Sequence, residues 1–151
     1  MHLFLENIAK SYIELWKGTW RKVDNAKYAI TNTDWEDIGS ACVAANKTLP
    51  SIFGKRIRNI HTDYSAWTAE VYSIFILVTG PIVMRDRWSN QAYYHNFMRF
   101  SEIFKGVISH QLSGKSLKDL HQHCLLWVQE YETCVYSGSM MISVYINMLS
   151  H

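Results

Sequence analysis

Proline is scarce, two residues in 151 (Pro50 and Pro81), and glycine contributes only seven. Little therefore interrupts helices, since these two residue types break them most. No proline-rich linker, low-complexity tract or internal repeat divides the chain, which favours one domain. Cysteine is also sparse. Cys42, Cys124 and Cys134 are odd in number and without paired spacing, so no disulfide framework is implied and reduced thiols in an intracellular compartment are expected.

Charge of either sign is nearly balanced, 15 Lys and Arg against 13 Asp and Glu, a net +2. A field that weak does not argue nucleic-acid binding by itself. Long apolar runs are missing too: residues 73–84 form the most hydrophobic window, about twelve residues against the roughly twenty that span a bilayer, and Gly80-Pro81 breaks it. No membrane role is expected. Met1 to Glu6 has neither the basic start nor the small-residue cleavage site of a secretory leader. The Asn46-Lys47-Thr48 sequon is accordingly expected to carry no glycan. No Gly-Xaa-Ser-Xaa-Gly elbow, phosphate-binding loop or dinucleotide fingerprint occurs, and no small-molecule substrate is evident.

Aromatic and aliphatic side chains are what the chain has in plenty. Hydrophobic residues make up 48% and aromatics 14%, with six Trp, nine Tyr and six Phe. A domain of this length buries roughly 70% of its unfolded surface, so a sizeable core is expected. The apolar spacing is helical throughout. Leu3, Phe4, Ile8, Tyr12, Leu15 and Trp16 predict a first helix ending at Lys17-Gly18. A long loop near 18–32 follows. Thr33 with Glu36 reads as a capping box opening a second helix to about Asn46, with Trp35, Ile38, Cys42 and Ala45 inward.

Pro50, Gly54 and a basic cluster predict an extended connection near 49–60. A third helix is expected over about 65–79, with Trp67, Val71, Ile74, Phe75 and Val78 buried and Gly80-Pro81 as its stop. Ser89 is read as the cap of a long helix carrying Tyr93, Tyr94, Phe97, Met98, Phe100, Phe104, Val107 and Ile108. Ser116 is read as the cap of a last one carrying Leu117, Leu120, Cys124, Trp127, Val128, Tyr131 and Val135. The expectation is an all-α, irregular single domain of about five main helices over 1–136, with a weakly structured tail at 137–151.

Two short basic clusters, Lys55-Arg56-Ile57-Arg58 and Arg85-Asp86-Arg87, place Lys55, Arg56, Arg58, Arg85 and Arg87 as the nucleic-acid contact candidates. Solvated helix ends are the plainer reading. His121-Gln122-His123-Cys124 is the one metal-like string, yet residues two apart on a helix face apart, so His121 and His123 cannot easily share an ion. Glu102, Asp119, Glu130 and Glu132 each sit in a helical pattern where a solvated face is the default. No catalytic, cofactor-binding or metal-binding residue is assigned.

Several strings, in order along nearly the whole chain, resemble the transposases of fungal CACTA-type (En/Spm-like) DNA transposons. Met1-His2-Leu3-Phe4-Leu5-Glu6-Asn7 is similar to the family's Met-His-Leu-Xaa-Xaa-Glu-Asn, and Leu15-Trp16-Lys17-Gly18 to its Leu-Trp-Thr-Gly. Trp35-Glu36-Asp37-Ile38-Gly39 and Thr48-Leu49-Pro50-Ser51-Ile52-Phe53-Gly54 follow. Trp67-Thr68-Ala69-Glu70, Gly80-Pro81-Ile82-Val83-Met84-Arg85, Tyr93-Tyr94-His95-Asn96-Phe97 and Trp127-Val128-Gln129-Glu130-Tyr131-Glu132 complete the series. Beyond Cys134 the likeness fades, with Asn147-Met148-Leu149-Ser150-His151 a faint echo of the family's His-Ala-Leu-Leu-His.

The resemblance implies an RNase H-like nuclease in which three acids hold two Mg²⁺ or Mn²⁺ ions, with a helical region inserted between the second and third acid. Two-metal phosphoryl transfer needs all of those carboxylates together. His2 falls in a family motif whose acid precedes the Met, so the leading acids are expected upstream of this chain and the third beyond His151. The expectation is a non-catalytic fragment of a transposase with no cofactor of its own. DNA or another transposase subunit would be its partner, and a working transposase would place it in the nucleus. The alternative is a helical protein-interaction or oligomerisation module without a DNA role.

Overall fold

The computed structural model describes residues 7–19, 27–109 and 114–135, the last without the side chain of Val135. Residues 137–151, expected as a weak tail, and His2 lie outside them. The described residues are helices and turns with no strand, and the fold is all-α. The chain forms two compact units, Met1–Ser89 and Asn90–His151.

In the first unit, α1 spans Lys10–Trp16 and buries Tyr12, Ile13, Leu15 and Trp16. Its end is the expected one. Gly18 takes a left-handed φ of 68°, its N–H donates to Leu15 O at 2.9 Å, and Thr19 N–H donates to Glu14 O at 2.9 Å. This pair of bonds is a Schellman closure, which a residue with a Cβ resists. The chain then returns to the helix end, where Ile30 N–H donates to Trp16 O at 2.7 Å.

Helix α2 spans Asn32–Ala45 and buries Trp35, Ile38, Gly39 and Cys42, while Ala45 is half-buried. Thr31 caps it, two residues before the expected Thr33. Asp34 N–H donates to Thr31 Oγ1 at 3.1 Å, and the same hydroxyl donates to Asp34 Oδ2 at 2.6 Å. Both threonines have an acid three residues on. Thr31 is the one with extended backbone, which the capping position requires.

The 49–60 connection holds one tight turn, Ser51–Phe53, before Asn59 caps the short helix α3 (Ile60–Asp63) by accepting from His61 N–H at 2.9 Å. The third expected helix starts later and runs further than the spacing implied. It comprises α4 (Ala69–Ile74), a π turn (Phe75–Thr79) and α5 (Gly80–Val83). Gly80-Pro81 does not stop it. Proline in an α-helix clashes with the carbonyl four residues back, and the wider π turn relieves that clash while leaving Pro81 in the first turn of α5, where no N–H is needed. The run ends near Asp86, whose φ is 59°.

The second unit pairs α6 (Ala92–Val107) with α7 (Gly114–Val135). Neither serine cap holds: Asn90 Oδ1 accepts from Ala92 N–H at 3.0 Å ahead of α6, and Ser116 lies inside α7. Phe97, Phe100, Ile103, Phe104, Trp127 and Tyr131 are buried, with the Phe100 and Trp127 rings stacked at 5.5 Å. Two residues expected inside are outside, Leu117 at 58% exposure and Val107 at 38%. Helix α6 covers one side of α7, and the apolar residues of α7 are spread wider than that side.

Candidate functional site

The basic residues put forward for nucleic-acid contact all belong to the first unit, and most are engaged locally. Lys55 Nζ lies 3.7 Å from Glu70, Arg56 Nη1 donates to Asn46 O at 2.8 Å, and Arg87 reaches Asp34 at 3.4 Å and donates to Val83 O at 3.1 Å. Arg85 is exposed and lies 4.0 Å from its neighbour Asp86. Arg58 is exposed as well. Ion pairs this exposed contribute about 0–1 kcal/mol, so a phosphate competes with them at little cost. Arg58 and Arg85 are the members freest to meet one.

Asn46, the residue of the sequon, has a structural task. Its Nδ2 donates to Ile57 O at 2.8 Å and its Oδ1 accepts from Ile57 N–H at 2.9 Å, so one side chain satisfies both backbone groups of a buried residue. This is what seats the basic stretch 55–58 against the end of α2. An amide is the side chain that offers donor and acceptor together.

A constellation absent from the sequence reading surrounds Lys17. Its Nζ donates to His61 O at 2.9 Å, lies 3.1 Å from His61 Nδ1, and sits 5.2 Å from the Trp35 ring centre and 5.4 Å from that of Tyr64. Burial lowers the Lys17 ammonium below its ordinary range, and raises the Tyr64 phenol, with a smaller contribution from the Glu14 charge. The aromatic faces and the carbonyl compensate for lost hydration. Lys17 stands in the string Leu15-Trp16-Lys17-Gly18. Nothing within that string signals His61, 44 positions away. Chemically the group is a cation anchor that ties α1 to α3.

In the second unit, Asn96 is buried and donates from Nδ2 to Trp127 O at 3.0 Å, and Arg99 makes a two-pronged pair with Glu130 at 2.8 Å on each arm. The guanidinium is raised further by the Glu130 hydrogen bond. Glu130 is thereby committed to packing. Glu102, Asp119 and His123 line one open hollow of about 320 Å³ between α6 and α7. A second, of about 610 Å³, is bordered by Leu117, Lys118, His121 and Cys124 of α7, so His121 and Cys124 do share a side.

The three cysteines are free thiols. Burial pushes Cys42 up to about 12 and also raises Cys124 and Cys134, which makes all three poor nucleophiles at neutral pH. Among the described residues no group of three or more His, Cys, Asp or Glu is placed to hold a metal ion, and no helix is long and apolar enough to cross a membrane. Compared with protein-family models, curated proteins and solved structures, the chain matches none.

Proposed function

We propose that this chain is the helical insertion region of a CACTA-type DNA transposase, contributing packing surface and weak DNA contact and none of the catalytic acids. The observation that carries this is the colinear order of eight short strings that resemble the family. Seven of them fall on described residues, and those strings hold junctions of the fold: the closure at Gly18, the Trp35 and Ile38 pair, Pro81 in the first turn of α5, and the Asn96 to Trp127 link. An all-α architecture suits an inserted helical region. In such a role the chain would act in the nucleus, beside a core that supplies Mg²⁺ or Mn²⁺ chemistry.

Incubating the purified chain with Mg²⁺ or Mn²⁺ and duplexes bearing the flanking terminal repeats is expected to leave them intact. Metal-dependent strand cleavage would overturn the non-catalytic assignment. Weak duplex binding is expected, with a log–log salt slope of roughly −2, near −0.9 per phosphate contacted. Arg58→Ala with Arg85→Ala should flatten that slope. The family assignment itself is tested by the genomic DNA on both sides of the reading frame, where inverted repeats and acid-encoding remnants are expected. An ordinary host gene there, without repeats, sinks it.

A further inference from the structure

Helix α7 carries a second apolar edge that α6 does not cover. Leu117 and Leu125 are 58% and 52% exposed, Val128 and Cys124 are half-buried, and His121 lies open between them. Along this edge Lys118, Leu125 and Glu132 follow at seven-residue intervals. Heptad positions on an α-helix drift by only about 20°, so the three stand in one line with a cation at one end, an anion at the other and leucine midway. The ends are about 21 Å apart along the axis.

Among the described residues neither charged end has a partner: Lys118 is exposed and makes no ion pair, and the half-buried Glu132 makes none either. The other acid in this part of α7, Glu130, is held by Arg99.

From this pattern we propose that α7 pairs antiparallel with α7 of a second copy of this chain, about a two-fold axis through Leu125. Reversing the line about its midpoint places Lys118 opposite the partner's Glu132, Glu132 opposite the partner's Lys118, and Leu125 opposite the partner's Leu125. The isologous contact is self-complementary in charge. A parallel pairing sets lysine on lysine and glutamate on glutamate, which selects the antiparallel sense. One helix pair buries less than the roughly 1,600 Å² of a standard interface, so a dissociation constant on the order of micromolar is expected. This surface does not depend on a transposase role.

Sedimentation equilibrium of the full chain, from low micromolar to several hundred micromolar, tests it. A reversible monomer–dimer equilibrium is expected, weakening as salt is raised. Lys118→Glu opposes two glutamates at both ends and should raise the dissociation constant at least tenfold. The double exchange Lys118→Glu with Glu132→Lys restores the complementarity and should return it to within about threefold of the original. Far-UV circular dichroism verifies that each variant is folded. A chain that stays monomeric throughout overturns the proposal, as does a dimer that Lys118→Glu leaves intact or one that the double exchange fails to rescue.

Discussion

The two units reach stability by different routes. In Met1–Ser89 several helical segments are short, α1 and α3 among them, and side chains bonded to distant backbone hold them: Asn46 on Ile57, Lys17 on His61, Trp88 Nε1 on Tyr28 O at 2.8 Å. In Asn90–His151 two long helices lie together along an apolar seam, linked across it by Asn96 to Trp127 and Arg99 to Glu130. Short helices are marginal alone and need tertiary partners, whereas longer ones support more of their own backbone. Both routes leave apolar side chains exposed, Ile52 and Ile82 on separate short turns of the first unit, and Leu117, Leu125 and Leu126 along one helix of the second.

The largest effect expected is at Trp16, 2% exposed, whose carbonyl accepts from Ile30 and Trp35 and whose ring meets Trp88 at 5.2 Å. Trp16→Ala should cost about 3–5 kcal/mol by urea denaturation. A loss below about 1 kcal/mol would break the picture of a densely pinned first unit.

Next comes an alkaline weakness in the same unit. Cys42 titrates near 9 unfolded and about 12 folded, so between those values the native state holds the proton that the unfolded chain releases. Stability from this group is complete below pH 9 and falls as pH rises toward 12, at about 1.4 kcal/mol per unit. Cys42→Ala should flatten that decline. Equal slopes in the two proteins would refute the assignment to Cys42.

A smaller effect tests the close approach of α2 to the cap of α3. A Cβ on Gly39 would overlap the Asn59 side chain, which also accepts from His61 N–H. Gly39→Ala is expected to cost about 1–3 kcal/mol. Shortening Asn59 to Gly in the same chain should make the Gly39 change less harmful, a coupling that a double-mutant cycle measures.

The smallest concerns the second unit. The Arg99–Glu130 pair is two-pronged but partly solvated, so Arg99→Ala should cost about 1 kcal/mol. Exchanging the two charges should recover part of it. If Arg99→Ala proved as damaging as Trp16→Ala, the distinction between a pinned unit and a seam-packed one would fail.

Much of the fold was legible along the chain. The stripe Trp35, Ile38 and Cys42 is buried as its spacing implies, and the Lys17-Gly18 stop is a true helix closure. Expectations failed where neighbouring residues offered equivalent local chemistry. Thr31 and Thr33 present the same hydroxyl and a following acid, and Asn90 Oδ1 accepts from Ala92 N–H where Ser89 was expected to cap. Gly80-Pro81 reads as a stop only if the helix before it keeps the α pitch, and the π turn removes that condition. Of the site, the basic residues were visible as types, but their engagement by Glu70, Asn46 and Asp34 was not.

What this sequence settles unaided is helix and the faces that must leave water, because apolar periodicity acts over three or four residues and needs no knowledge of the neighbour. The tertiary structure alone decides which neighbour arrives. Lys17 finds His61 and two aromatic rings, Asn46 finds Ile57, and α7 meets α6 with one of its two apolar edges. Those choices join residues separated by tens of positions, where no local spacing carries information and only the packing of whole helices selects the partner.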